Sequence, residues 1–268
     1  MAGTDDIGTD SIDVAGITQT LVAAARDRRG IAPITDAVPG LDVPTAYGIQ
    51  DSVVAARVAD GAVVVGAKLG LTSVAKQRQM NVDEPLYGWL TDDMQIDTGE
   101  ALVCDRFIQP RVEPEIAFLL GRDLAGPQVN AAQVLAATSA VFPAVDVLDS
   151  RFSGYKFTLT DVVADNSSSA GFTLGGQATE PAGIDLRLVG CTLEHNGRLV
   201  ATAAGAAVMG HPAAAVAWLV RRLATRGRGL SAGMVVMAGA LTEAVAVAPG
   251  DTVVARFDRL GTVEFACR

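Results

Sequence analysis

Cysteine is scarce: Cys104, Cys191 and Cys267 are the whole supply in 268 residues. An odd number with no C-x-x-C spacing argues against a disulfide scaffold or a zinc ribbon and leaves buried thiols in a reducing compartment. Histidine is scarcer, and the two present, His195 and His211, stand apart, which argues against a histidine-based zinc centre. Basic residues are outnumbered, 21 Lys and Arg against 30 Asp and Glu, for a net charge of -9. No basic block compensates: Arg221, Arg222, Arg226 and Arg228 read as the last turn and exit of a helix, where cations are favoured, so nucleic acid is not an expected partner. The N-terminus, MAGTDDIGTDSIDVAG, is acidic where a signal peptide would be basic. The longest apolar stretches, 199–220 and 231–248, are interrupted by Gly210-His211-Pro212 and by Glu243 and read as core, not membrane spans. A cytoplasmic protein is expected. Also missing are the G-x-x-x-x-G-K-[ST] loop and the G-x-G-x-x-G fingerprint.

What is present is a chain that is 50% hydrophobic with 28 glycines and only 5% aromatics, an Ala/Val-rich globular composition. Its length fits one large domain, or a domain with an appendage. Residues 1–10 read as a tail. Helical spacing of Val14, Ile17, Leu21, Val22 and Ala25 predicts a helix from Ile12 to about Arg28, closed near Gly30. A second helix opens at Pro44 and runs to Gly61, so residues 1–61 are expected to form a helical appendage to a body of residues 62–268. The β-branched run after Gly61 predicts a strand carrying Lys68 near its end, then a helix from Ser73 to Met80. Further strands are expected near Ala101–Cys104, Phe142–Leu148, Leu186–Val189, Thr192–His195, Val235–Ala238, Thr252–Phe257 and Gly261–Ala266, with helices over 131–141 and 212–226. Without a regular βαβ rhythm this predicts an α+β fold with a curled, mixed, largely antiparallel sheet.

In Arg111–Leu120, RVEPEIAFLL, the apolar tail reads as a buried strand, and its period of two puts Glu113 and Glu115 on one face. Pro114 between them suits the mouth or edge of a sheet. Such a pair is either two solvated edge acids or two carboxylates that need a cation between them. Asp146 lies inside a second apolar run, FPAVDVLDSRF, where a charge needs a partner or a metal. With the two glutamates it makes an all-oxygen set suited to Mg²⁺ or Mn²⁺. Lys68, between Gly66 and Gly70, is either a solvated lysine or one held against an anionic ligand. Asn166, Ser167, Ser168 and Ser169 form a polar loop with donors for oxygens, and Asp149 with Arg151 reads as a salt bridge. His211 reads as a helix-entry residue and His195 as a surface turn residue.

The segments GAKLGLTSVAKQRQMNVDEPLYGWLTDDM, QPRVEPEIAFLLGRDLAGP, FPAVDVLDSRF, VVADNSSS, AGAAVMGHPAAAVAWL and GALTEAVAVAPGD resemble, in order and spacing, the 4-oxalocrotonate decarboxylase and 2-keto-4-pentenoate hydratase family of the fumarylacetoacetate hydrolase superfamily. The likeness runs from about Pro44 to the C-terminus. It implies a β-roll with a helical N-terminal portion, Mg²⁺ or Mn²⁺ on Glu113, Glu115 and Asp146, and Lys68 as active-site lysine. Asp146 is a departure, since members of the family usually carry glutamate there. Hydratases of the family tend to carry an acid at the position of Leu86, and an apolar residue there resembles the decarboxylases, as do Tyr155-Lys156-Phe157. The resemblance therefore implies metal-dependent decarboxylation of 2-oxohex-3-enedioate (4-oxalocrotonate) to 2-hydroxypenta-2,4-dienoate in meta-cleavage catabolism of aromatics. Lys68, Leu86 and Ser168 are the expected catalytic residues, and Lys68, Asn166, Ser167 and Ser168 the substrate-binding ones. Hydration of 2-hydroxypenta-2,4-dienoate, or a non-catalytic role beside a hydratase, are the alternatives. A homo-oligomer and a complex with a pathway hydratase are the expected assemblies.

Overall fold

The computed structural model describes residues 12–73, 77–78 and 82–268. The strands, in chain order, are β1 (Val64–Gly70), β2 (Leu86–Thr91), β3 (Arg111–Leu120), β4 (Thr138–Leu148), β5 (Ser169–Leu174) and β6 (Gly190–His195). They continue with β7 (Arg198–Ala204), β8 (Val235–Ala240), β9 (Val245–Ala246), β10 (Thr252–Phe257) and β11 (Gly261–Ala266). One sheet runs β2-β1-β8-β3-β4-β5, with β9 also on β3; a smaller one runs β11-β10-β6-β7. Among the described strands β1 and β8 are the one parallel pair, so the fold is the expected α+β class with a mixed, largely antiparallel, curled sheet forming a half-barrel.

The N-terminal helices are α1 (Val14–Asp27), the single turn α2 (Ile34–Ala37) and α3 (Val43–Ala59). Asp13 and Asp42 cap α1 and α3 by accepting from the Gly16 and Thr45 amides, and Pro44 sits in the first turn of α3. Arg28, not Gly30, takes the left-handed position that ends α1. Gln50 of α3 reaches into the body, donating to the carbonyls of Tyr87 and Val163. One apolar cluster joins Leu21 and Ile49 to Phe118 and Val147 in the sheet.

Several expectations change. The helix over 131–141 stops at Ala137, where β-branched Thr138 begins β4, so helix α4 (Ala131–Ala137) is shorter and the strand longer than the spacing implied. Ala101–Cys104 contributes an isolated bridge at Leu102 and then a tight turn, and Leu186–Val189 forms turns instead of a strand. Helix α5 (Leu159–Ala164) and strand β5 occupy a stretch to which no helix or strand was assigned from the sequence. Helix α6 (Pro212–Ala224) is where expected, with the His211 imidazole accepting from the Ala213 amide at its start. The tail and part of the Ser73–Met80 segment lie outside the described residues.

Pro114 is not at an edge. β3 is central, flanked by β4 on one side and by β8 and β9 on the other. β9 pairs with Arg111 and Val112, and β8 begins at Glu115, so Pro114 falls where that flank changes partners and no ladder needs its missing N–H.

Asp149 and Arg151 do not pair with each other. Asp149 accepts from the Ile108 and Gln109 amides, whereas Arg151 forms a buried ion pair with Asp165, its Nε on Oδ1 and its Nη2 on the carbonyl. Burial pushes the Asp165 carboxyl up to about 6 even against that guanidinium. Arg151→Met should therefore leave a buried carboxylate uncompensated and lower the unfolding free energy by about 3–5 kcal/mol. Urea denaturation measures this; a wild-type midpoint would contradict it.

Candidate active site

Glu113 and Asp146 face each other directly across the β3–β4 ladder, and Glu115 follows two residues along on the same face. All three are buried, at 8%, 0% and 0% exposure for Glu113, Asp146 and Glu115, and one oxygen from each falls within 4.8 Å of the others. Like charges opposite each other in a sheet interior repel, and removing each from water costs several kcal/mol. Among the described residues Lys68 provides a counter-charge: its buried Nζ lies 3.1 Å from Asp146 Oδ2. It comes from β1, carried to the site because β1 and β3 both flank β8.

The lysine does not complete the balance. Glu115 Oε2 accepts from the Gly239 amide at 2.7 Å, but its Oε1 is buried with no hydrogen-bond partner among the described residues. Burial first, and then the Asp146 carboxylate, push the Glu115 carboxyl well above the usual range, against the pull of Lys68. Buried carboxylate oxygens clustered in this way are the donor set of a hard divalent cation, and the residues present fit one.

Glu113 also opens onto a cavity of 160 Å³, with Lys68, Arg111, Ser167 and Ser168 as its other polar lining and Leu71, Leu86, Leu148, Tyr155 and Phe157 among its apolar walls. Larger hollows of 630 and 690 Å³ exist elsewhere but do not reach the three acids. A site this small, below the roughly 300–1,000 Å³ of drug-sized pockets, suits a compact acid and not a nucleotide.

Ser167 and Ser168 reach the cavity through an unusual backbone: Asn166, Ser167 and Ser168 all have left-handed φ, at 47°, 56° and 55°. Asn166 holds this turn in place by accepting from the Trp89 amide and donating to the Trp89 carbonyl. Two of its hydrogen bonds thus go to β2, and it lines the 630 Å³ hollow. The Ser167 hydroxyl donates to the Tyr87 carbonyl at 2.6 Å. Ser168 Oγ is buried with no hydrogen-bond partner among the described residues. Gly88 on β2 permits the arrangement, since a Cβ there would collide with the Asn166 carbonyl oxygen.

Two residues of the site were not singled out from the sequence. Arg111 shares the strand face of Glu113 and Glu115, a position the period of two already indicated, and its guanidinium stacks 4.0 Å over the Tyr155 ring. Gly239, with φ of 110°, aims its amide at Glu115, and no local spacing announces that contact.

The model of the fumarylacetoacetate (FAA) hydrolase C-terminal family matches residues 54–267. The chain belongs to that family. Among its relatives, the 4-oxalocrotonate decarboxylase of Pseudomonas sp. (strain CF600) is 42% identical over 250 residues, 93% of this chain and 95% of that one. The 2-keto-4-pentenoate hydratase of Paraburkholderia xenovorans (strain LB400) is 42% identical over 245 residues, 91% of each. The solved structure of 4-oxalocrotonate decarboxylase from Pseudomonas putida G7, complexed with magnesium and adipate, has a TM-score of 0.93 at 38% identity, covering 95% of this chain and 97% of that one. The fold expected from the resemblance is therefore the fold of this family member, and its relatives include both decarboxylases and hydratases. No helix among the described residues is long and apolar enough to cross a membrane.

At Gly239 an added Cβ would collide with the Thr72 hydroxyl, displacing the amide that orients Glu115. Gly239→Ala should weaken Mg²⁺ binding about 10–100-fold, the usual cost of losing a group that orients a metal ligand. Titration calorimetry with MgCl₂ checks this, and unchanged affinity would contradict it.

Proposed function

We propose that this protein decarboxylates 2-oxohex-3-enedioate to 2-hydroxypenta-2,4-dienoate, using a divalent cation, Mg²⁺ or Mn²⁺, on Glu113, Glu115 and Asp146. The observation that carries the reading is the cavity's lining: the basic side chains of Lys68 and Arg111 share it with apolar residues that include Leu86, beside a buried acid cluster. Two cations suit a substrate with a carboxylate at each end. The hydratase substrate named above has only one.

When bound, the cation supplies Lewis-acid stabilisation of negative charge on the substrate's C2 oxygen. The reaction breaks the bond between C5 and the C6 carboxylate, which leaves as CO₂. Its electron pair forms C4=C5, the C3=C4 pair moves to C2=C3, and the C2 oxygen takes the charge and then a proton. Arg111 holds the C6 end at the outer wall. Lys68, at the inner wall beside Asp146, binds the C1 end and steers the proton to the C2 oxygen. Ser168, whose buried hydroxyl has no hydrogen-bond partner among the described residues, donates to a substrate oxygen. Ser167 has its hydroxyl turned to Tyr87 and contributes the position of the turn.

Leu86 favours the decarboxylase branch of the family. Buried at 3% exposure and packed against Gly70 in the cavity wall, it offers no group to activate water and keeps water from the conjugated product. Hydration of 2-hydroxypenta-2,4-dienoate is the second reading, favoured by the identity to the Paraburkholderia hydratase.

Purified protein with Mg²⁺ and 2-oxohex-3-enedioate should release CO₂ in step with the ultraviolet absorbance of the dienol; CO₂-free conversion, or no conversion, would contradict the reading. Leu86→Asp should lower CO₂ release and admit hydration of the dienol, and an unchanged product profile would count against Leu86's role. Arg111→Met should lower kcat/KM for the diacid by about 10–100-fold, the worth of one charge-assisted contact, while hardly affecting Mg²⁺ binding. Equal activity with and without Arg111 would remove it from the substrate site.

A further inference from the structure

The inner cavity adjoins a much larger one. A cleft of 690 Å³ is lined by Arg28, Cys104, Phe107, Gln109 and Ala246–Pro249 among others, and the residues it shares with the 160 Å³ cavity are, among the described residues, Arg111 and Tyr155. These two side chains stack on each other, guanidinium over ring, so the partition between a small space and a large one is a single pair.

The pair is anchored from both sides. Tyr155 donates its hydroxyl to the carbonyls of Leu148 and Gln109, at 3.1 and 3.2 Å, which fixes the ring between the end of β4 and the strand-entry loop. Its backbone is left-handed, with φ of 57°, following Gly154 at φ of 66°, a turn that carries the ring back over β3. Arg111 is fixed by its place in the ladder, paired with Leu148 on one side and Ala246 on the other. Phe157 packs against the Tyr155 ring at 6.2 Å and lines the inner cavity but not the 690 Å³ cleft.

We propose that the Arg111–Tyr155 stack is the wall that sets the length of diacid the site accepts. This rests on the diacid reading above and deepens it. With the wall in place the chain ends at Arg111; without the ring, the inner cavity opens into the outer cleft and a longer chain passes through into a space whose polar lining includes Asp27, Arg28, Asp105 and Gln109. Tyr155 is thus a specificity-determining residue that takes no part in the bond-breaking step.

The test is binding, not turnover: calorimetric titration of the Mg²⁺-loaded protein with the saturated six-, eight- and ten-carbon α,ω-diacids. Wild-type protein should bind the six-carbon diacid at least about tenfold more tightly than the ten-carbon one, since a chain too long for the 160 Å³ cavity is penalised at that scale. Tyr155→Ala should bring the ratio to within about threefold, mainly by strengthening the long ligand. Tyr155→Phe, which retains the ring, should keep the wild-type ratio. Tyr155→Leu, which keeps apolar bulk but not the stack, replaces the alanine variant if that one does not fold. A ratio in the alanine or leucine variant equal to that of the wild type overturns the proposal. Failure of the wild-type protein to bind even the six-carbon diacid overturns the diacid reading and this inference with it.

Discussion

Glu113 and Asp146 are set opposite each other in the middle of a buried sheet, with Glu115 one pleat away, and most of the structure around them answers that repulsion. A cross-strand pair of like charges is unfavourable even on a solvated face, and here almost no water reaches it. Lys68 from β1 and the Gly239 amide from β8 each neutralise part of the load, and Glu115 Oε1 is left without a hydrogen-bond partner among the described residues. A site assembled at such electrostatic cost is shaped for a divalent cation, which removes the cost when it binds.

The topology follows from the same requirement. Lys68, Glu115 and Gly239 meet because β8 lies between β1 and β3, and the irregular register between Glu115 and Ala117 turns the β8 backbone toward the acids. Around this centre the polar layer thins quickly. The left-handed turn at Asn166–Ser168 presents one hydroxyl without a hydrogen-bond partner among the described residues, and Leu86, Leu148 and Phe157 are among the apolar lining. Polarity at one wall and apolar surface beyond it exclude water while fixing the substrate's charged ends.

Much of this could be read from the residues alone, where the signal was local. The period of two placed Glu113 with Glu115, an acid in an apolar run marked Asp146, and the apolar stretches located β3 and the latter part of β4. Non-local contacts were a different matter. Arg151 prefers Asp165 over its neighbour Asp149 because of where two turns come to rest, and Asn166 spends its amide on Trp89 because the turn aims it at β2. Both outcomes depend on distant backbone that no spacing encodes. The alanine-rich stretch 131–141 misled for another reason: its helical propensity was outweighed from Thr138 on by pairing with β3. Arg111 was within reach of the same period-of-two argument as the glutamates, and the family resemblance did not mark it.

The central claim, that Glu113, Glu115 and Asp146 jointly hold one divalent ion, is tested most directly by anomalous diffraction from crystals grown with Mn²⁺. The account predicts a single strong peak among the three carboxylates, each contributing an oxygen, and loss of that peak in Glu115→Gln. A peak elsewhere, or none at millimolar Mn²⁺, would contradict it.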